Sequence, residues 1–141
     1  MVRVARSHWG LALLLSASPA VAQVPAFRAE LKESSPNPIS SAATLEFEIR
    51  SEVCQDGYQP AVSLRIYNVL VQVVAVPVLD KPPNPPIANL RLPCGKHQAR
   101  WDGLLADGEP ARTGVYYAQL TVDGQRFTRK LIVKRKGESR R

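Results

Sequence analysis

The sequence predicts an all-β antiparallel sandwich of about seven strands, and three observations carry that prediction. Apolar and polar residues alternate with period two in residues 27–31, 45–49 and 62–66, the pattern of half-solvated antiparallel strands. Residues 115–122 and 127–133 are rich in β-branched and aromatic side chains and flank Asp123-Gly124. That dipeptide suits a two-residue hairpin turn with positive φ. Finally, Pro, Gly, Asn and Asp punctuate the intervals between the apolar runs, and no segment after the amino-terminal stretch sustains helical periodicity.

Taken in order, the first 22 residues read as a secretory leader. Arg3 and Arg6 form a basic start, residues 9–15 (WGLALLL) a short apolar stretch, and Ala20-Val21-Ala22 a small-x-small cleavage site. Gln23 is then the first mature residue. The apolar run is far shorter than the roughly 20 residues a membrane span needs, so no transmembrane segment is expected after cleavage. Removal of Arg3 and Arg6 takes the net charge from +7 to +5 (7 − 2). The chain is read as exported, to the periplasm, the cell surface or the medium.

The domain is expected over residues 23–134. Phe27, Ala29 and Leu31 make one strand face, and Leu45, Phe47 and Ile49 a second. Residues 34–41 (SSPNPISS) lie between them as a turn, because proline fixes φ and removes a donor. Residues 54–60 form a loop turning at Asp56-Gly57, and Val62, Leu64 and Ile66 a third strand face. Residues 69–79 (VLVQVVAVPVL) are almost wholly apolar. They read either as a strand covered on both faces or as an edge strand sitting on a partner, with Pro77 demoting the end to an edge or bulge. Residues 80–89 (DKPPNPPIAN) read as an extended, semi-rigid crossover, with a PxxP ligand as the weaker alternative. A short strand ending at Trp101 precedes the closing hairpin. The expected core is Leu45, Phe47, Leu64, Ile66, Trp101, Tyr116, Leu120 and Leu131.

Two cysteines, Cys54 and Cys94, remain in the mature chain; an even pair in an oxidising compartment reads as one disulfide. With a single mature imidazole, His97, they make a poor zinc set. His97 reads as a strand residue at a sheet surface. No GxSxG elbow and no glycine-rich phosphate loop occurs. The carboxylates Asp102, Asp107 and Glu109 fall within one loop, but their spacing is not that of a calcium loop, and turn capping accounts for them. No catalytic, cofactor-binding or metal residue is therefore expected, and an enzyme is a distant third reading. The basic tail, residues 135–141, reads as a solvated terminus, with contact to an anionic envelope surface as the sharper alternative. Nucleic acid is not an expected partner.

Four short signatures stand in order along the chain: Pro36-Asn37-Pro38, Gly95-x-His97, Trp101-Asp102-Gly103, and Gly114-Val115-Tyr116. With the strand pattern around them, residues 34–134 resemble the immunoglobulin-like domain of flagellar hook-assembly (FlgD-type) proteins. They are equally similar to the C-terminal sorting domains of type IX secretion substrates. The resemblance implies an Ig-like, fibronectin III-like sandwich and a non-enzymatic role in interaction, assembly or export. It makes Pro36, Asn37, Pro38, Trp101, Asp102, Gly103, Gly114 and Tyr116 structural residues. Gly114 would permit a backbone geometry other residues resist, Tyr116 would pack inward with its hydroxyl partnered, and Asp102 would accept backbone N–H bonds in its own turn.

The sequence departs from that pattern in two places. The family usually has a glycine turn near the position of Val71, where this sequence offers only Asn68 as a residue that readily takes positive φ. The cysteine pair and the proline-rich loop also look like additions, since the cysteines do not flank a tryptophan on opposite central strands. Two functions are expected from this reading: a secreted interaction or assembly module whose partner is another envelope or secreted protein, and a type IX-like sorting or surface-attachment domain. Sorting domains ordinarily trail a large passenger and none precedes this one in the sequence, so the first is preferred.

Overall fold

A computed structural model describes residues 4–5, 10, 12–20 and 27–137. Residues 1–3, 6–9, 11 and 21–22 of the leader, with the cleavage point after Ala22, fall outside the described residues, as do residues 138–141 of the tail.

Among the described residues, nine strands form two antiparallel sheets: β1 (Ala29–Leu31), β2 (Ala43–Ile49), β3 (Ala61–Tyr67), β4 (Val73–Ala75), β5 (Val78–Leu79), β6 (Leu90–Arg91), β7 (Gly95–Trp101), β8 (Gly114–Val122) and β9 (Gln125–Val133). One sheet has the order β1-β2-β7-β5. The other has the order β4-β3-β8-β9, with β6 added beside β3. These are the ABED and C′CFG orders of an immunoglobulin-type sandwich, so the fold expected from the sequence is the fold observed. β5 and β6 are two-residue strands, which accounts for the excess over seven.

Alternation builds the core. Alternate residues of β2, β3 and β8 are buried on one side only, and all eight residues expected in the core are 9% exposed or less. Phe27 is the exception to its strand's pattern. β1 begins at Ala29, and Phe27 is exposed, with its ring edge-on to Phe127 at 6.3 Å between centroids.

The cysteines form the expected disulfide, with Cα atoms 5.9 Å apart. Cys54 lies in the 3₁₀ segment Ser51–Gly57 that follows β2, and Cys94 directly precedes β7. The bridge therefore ties the exit of β2 to the entry of the strand paired with it. The Asp123-Gly124 turn is also as expected: both residues have positive φ, 45° and 83°, and Val122 pairs with Gln125 across it.

Three segments differ from the sequence reading. Residues 69–79 are not one strand. They make a hairpin tip, the short β4 in one sheet, and then β5 in the other, with Val76 and Pro77 as the crossing point. The proline-rich connection is not an extended spacer either. It folds back, with the Leu79 N–H donating to Pro85 O, the Ile87 N–H to Pro77 O, and the Leu64 N–H to Ile87 O. Ile87 is fully buried as a result. Its single apolar side chain among prolines gives no periodicity to read.

The third difference lies at the carboxyl end, where the sequence reading placed Arg135 in the solvated tail. The Arg135 guanidinium donates to three backbone carbonyls, those of Ala111, Ser40 and Gly103, and its own N–H donates to Thr113 Oγ1. The folded body extends through Arg135. Nearby, Ile39 pairs with Val133 in parallel, through Ile39 N–H to Ile132 O (2.7 Å) and Lys134 N–H to Ile39 O (2.8 Å).

Candidate functional site: a hairpin tip and an outward sheet face

The residues of three of the four signatures converge on one end of the sandwich and hold it together, while Gly95-x-His97 opens β7 at the other end. Trp101 is buried against Tyr116, with ring centroids 6.0 Å apart, and its Nε1 donates to Leu104 O at 2.9 Å. Asp102 Oδ1 accepts the Leu104 N–H at 3.0 Å, closing the turn. Gly103 has φ of 76°, and a Cβ there would lie 1.8 Å from Ser41 O, so the two loops meet where no side chain fits. The Tyr116 hydroxyl donates to Arg112 O, four residues upstream, at 3.0 Å, the tyrosine corner of this fold class. Gly114 opens β8 with φ of 159°, nearly extended. Pro36, Asn37 and Pro38 lead the chain into Ile39, which is buried. The Trp101, Asp102 and Tyr116 side chains are engaged with neighbouring backbone and with each other, whereas Pro36, Asn37 and Pro38 are exposed.

The surface features lie elsewhere, and the first is the tip between β3 and β4. Asn68 organises it. Its backbone exchanges bonds with Gln72 and Val71, its Oδ1 accepts the N–H groups of Leu70 and Gln72 at 3.0 Å each, and its Nδ2 donates to Gln72 Oε1. This is a three-residue hairpin loop whose third position takes the left-handed conformation and normally holds glycine. Here that position is Val71, with φ of 61°. The sequence reading assigned positive φ to Asn68; the structure gives it to a β-branched residue instead. Val69, Leu70 and Val71 are 65%, 73% and 77% exposed, so no burial accounts for either the conformation or the residue types.

The second feature is the outward face of the β4-β3-β8-β9 sheet. Register sets it out in rows. Tyr67 pairs with Tyr117, which pairs with Lys130. Arg65 pairs with Gln119, which pairs with Thr128. Ser63 pairs with Thr121, which pairs with Arg126. Alternation turns all of these away from the core, since Val62, Leu64, Ile66, Ala118, Leu120 and Leu131 are buried. A shallow groove of about 450 Å³ runs along this face and reaches Val71 at the tip. No Asp or Glu occurs in β3, β8 or β9. The opposite sheet differs: Glu46 and Glu48 of β2 stand beside Gln98 and Lys96 of β7, a face of mixed sign. Sequence reasoning missed the tip and the groove, although the outward positions of the three strands were legible in the same alternation that located the core.

His97 stacks on Phe47 at 5.3 Å and its Nε2 contacts Pro93 O at 2.7 Å. Among the described residues, no group of three His, Cys, Asp or Glu side chains is placed to hold a metal ion, and no helix is long and apolar enough to cross a membrane.

No family model matches the sequence, and no curated protein matches it. Among solved structures, the chain is similar to part of dimeric latent PorU from Porphyromonas gingivalis, with a TM-score of 0.54 and 20% sequence identity. The similarity covers 77% of this chain and 9% of that one. It is a likeness of fold to a small part of a much longer protein. At 20% identity it speaks to the fold alone, and the hook-assembly side of the sequence resemblance finds no support in it.

Proposed function

We propose that this chain is an extracytoplasmic, non-enzymatic Ig-like interaction module that engages a protein partner through the β3–β4 hairpin tip. The observation that carries the reading is Val71. An exposed β-branched residue held at φ 61°, preceded by the exposed apolar Val69 and Leu70, costs stability and offsets nothing in the isolated fold. Contiguous exposed apolar side chains mark contact sites. The disulfide supports an oxidising compartment, in line with the leader reading. The partner would be another envelope or secreted protein.

Site-specific photo-crosslinking in the producing cells tests this. A photoreactive residue at position 70 should give a discrete adduct that disappears with Val71→Asp, and one at position 48, on the opposite sheet, should give none. Equal labelling at both positions, or none at either, refutes the reading.

The second reading is a type IX-like sorting or surface-attachment domain, favoured by the sequence resemblance. Arg135 decides how to test it: a deletion must begin at Lys136, because removing Arg135 also removes the bonds to Ala111, Ser40 and Gly103. A chain lacking residues 136–141 that stays folded but moves from the cell surface to the periplasm would replace the first reading with this one.

A further inference from the structure

The outward groove has a chemistry distinct from that of the tip. Three cations, Arg65, Arg126 and Lys130, stand on a face built from strands without a carboxylate. The one ion pair among the described residues, Arg28–Asp123 at 3.7 Å, lies off this face, and none of the three cations makes a side-chain hydrogen bond there. No carboxylate in these strands and no ion pair offsets their charge, which favours an anion. Guanidinium forks match carboxylate and sulfate groups in particular.

The rest of the groove is neutral and suited to a hydroxylated ring. Tyr67 and Tyr117 are direct cross-strand partners, and Tyr117 is 37% exposed; aromatic faces pack against the C–H face of a sugar. Around them Ser63, Gln119, Thr121 and Thr128 supply hydroxyl and amide groups, which both donate and accept. The volume, about 450 Å³, lies within the usual range of small-ligand sites, roughly 300–1,000 Å³.

The backbone argues against a peptide here. β3 and β8 are interior strands, paired on both sides, so their N–H and C=O groups are already engaged. An extended peptide gains its affinity by adding to a sheet edge. Laid across this face, it would leave its own main-chain groups to side chains alone. A glycan has no such requirement.

We propose that this groove binds an acidic oligosaccharide, a glycan segment carrying carboxylate or sulfate groups on its rings. The arginines hold the anionic groups, the two tyrosines stack on the rings, and the Ser, Thr and Gln side chains bond the hydroxyls. The groove meets the tip at Asn68 and Val71, but the proposal rests on the cations and tyrosines of the sheet face and survives the failure of the tip reading.

Calorimetric titration of the intact protein at physiological salt, with amide chemical shifts followed in parallel, tests it. The probes are tetragalacturonate, a sulfated heparin-derived tetrasaccharide, maltotetraose and hexa-aspartate. At least one anionic tetrasaccharide should bind about tenfold more tightly than maltotetraose and hexa-aspartate, the counterpart of about 1.4 kcal/mol. Shifts should cluster in residues 63–67, 117–121 and 126–130. Arg126→Ser and Tyr117→Ala should each weaken binding about tenfold with the unfolding midpoint retained, and Lys136→Ser should leave it unchanged. Where a truncation unfolds the chain, Arg126→Lys keeps the charge without the fork and should bind between the two. Binding by neither anionic sugar overturns the proposal, as do shifts centred on residues 134–136. Equal binding of maltotetraose removes the role of charge and overturns it too. Hexa-aspartate binding as tightly on the same face would assign the groove to an acidic peptide instead.

Discussion

Replacing Val71 by asparagine should make the protein more stable while removing an apolar side chain. An L-residue in the left-handed region costs roughly 1–2 kcal/mol, and a β-branched residue sits at the upper end because it rarely adopts that conformation at all. Asparagine tolerates it, so most of that cost is recovered. Against this stands the burial lost. Val71 is 77% exposed, so less than a quarter of its surface is covered; at about 1.5–3 kcal/mol for a fully buried aliphatic side chain, the loss is roughly 0.5 kcal/mol. The net gain is about 0.5–1.5 kcal/mol. Val71→Gly should gain less, because glycine gives the unfolded chain more freedom, a penalty of roughly 0.5–1 kcal/mol. Val69→Asn is the control: it is equally peripheral and carries no positive φ, so it should fall within about 0.5 kcal/mol of the parent. Urea unfolding with a common m-value reads the differences directly. In a domain of this size, 1 kcal/mol moves the thermal midpoint by roughly 3–6 °C. If Val71→Asn is no more stable than Val69→Asn, the strain at the tip is not there and the argument for a binding role loses its basis.

Arg135→Ala should destabilise by roughly 2–4 kcal/mol, since it frees three carbonyls from charge-assisted bonds; Lys136→Ala, measured in the same denaturation series, should change stability by less than about 0.5 kcal/mol. Tyr116→Phe removes only the bond to Arg112 O and should cost about 1–2 kcal/mol, with near-ultraviolet circular dichroism retained; no loss would mean the corner bond is made equally well by water. Converting Cys54 and Cys94 together to serine opens a loop of sequence separation 40, worth roughly 4 kcal/mol on the chain-entropy model. An unchanged urea midpoint in the double variant would show that the reduced chain keeps β2 and β7 together in its unfolded state.

Those features that repeat locally could be read from the sequence. Period-two alternation located Leu45, Phe47, Leu64, Ile66 and Leu120, because a strand with one solvated face must write its burial into every second residue. The disulfide followed from the compartment and the count. What escaped depends on residues far apart in sequence. Nothing local in Ile87 marks it as core, since its burial is set by where the connection lands. Arg135 is indistinguishable from Lys134 and Lys136 until the carbonyls of Ser40, Gly103 and Ala111 are brought to it. Residues 69–79 form one apolar run, yet three environments divide it: an exposed tip, an edge strand and a crossing to the second sheet. The groove escaped for the converse reason. Its residues were identified only as the solvated halves of their strands, and their likeness of charge emerged when three strands were set in register.

The first segment of the domain runs alongside β9 in the same direction, and its contacts are spaced along that strand. The Arg28 N–H donates to Gln125 Oε1, Arg129 Nε donates to Leu31 O, and Ile39 pairs with Val133. Two segments running in the same direction, when drawn apart by their opposite ends, slide past one another, and every tie between them must stretch together. A hairpin pulled at its open end releases its bonds one at a time. Tension between the chain before Arg28 and the chain after Arg135 therefore falls on the first arrangement. The Arg135 guanidinium, gripping two loops at the point where that pull enters the body, acts as the anchor bolt of the joint. A domain joined in this way can carry a mechanical load along its length while its outward face stays in shape.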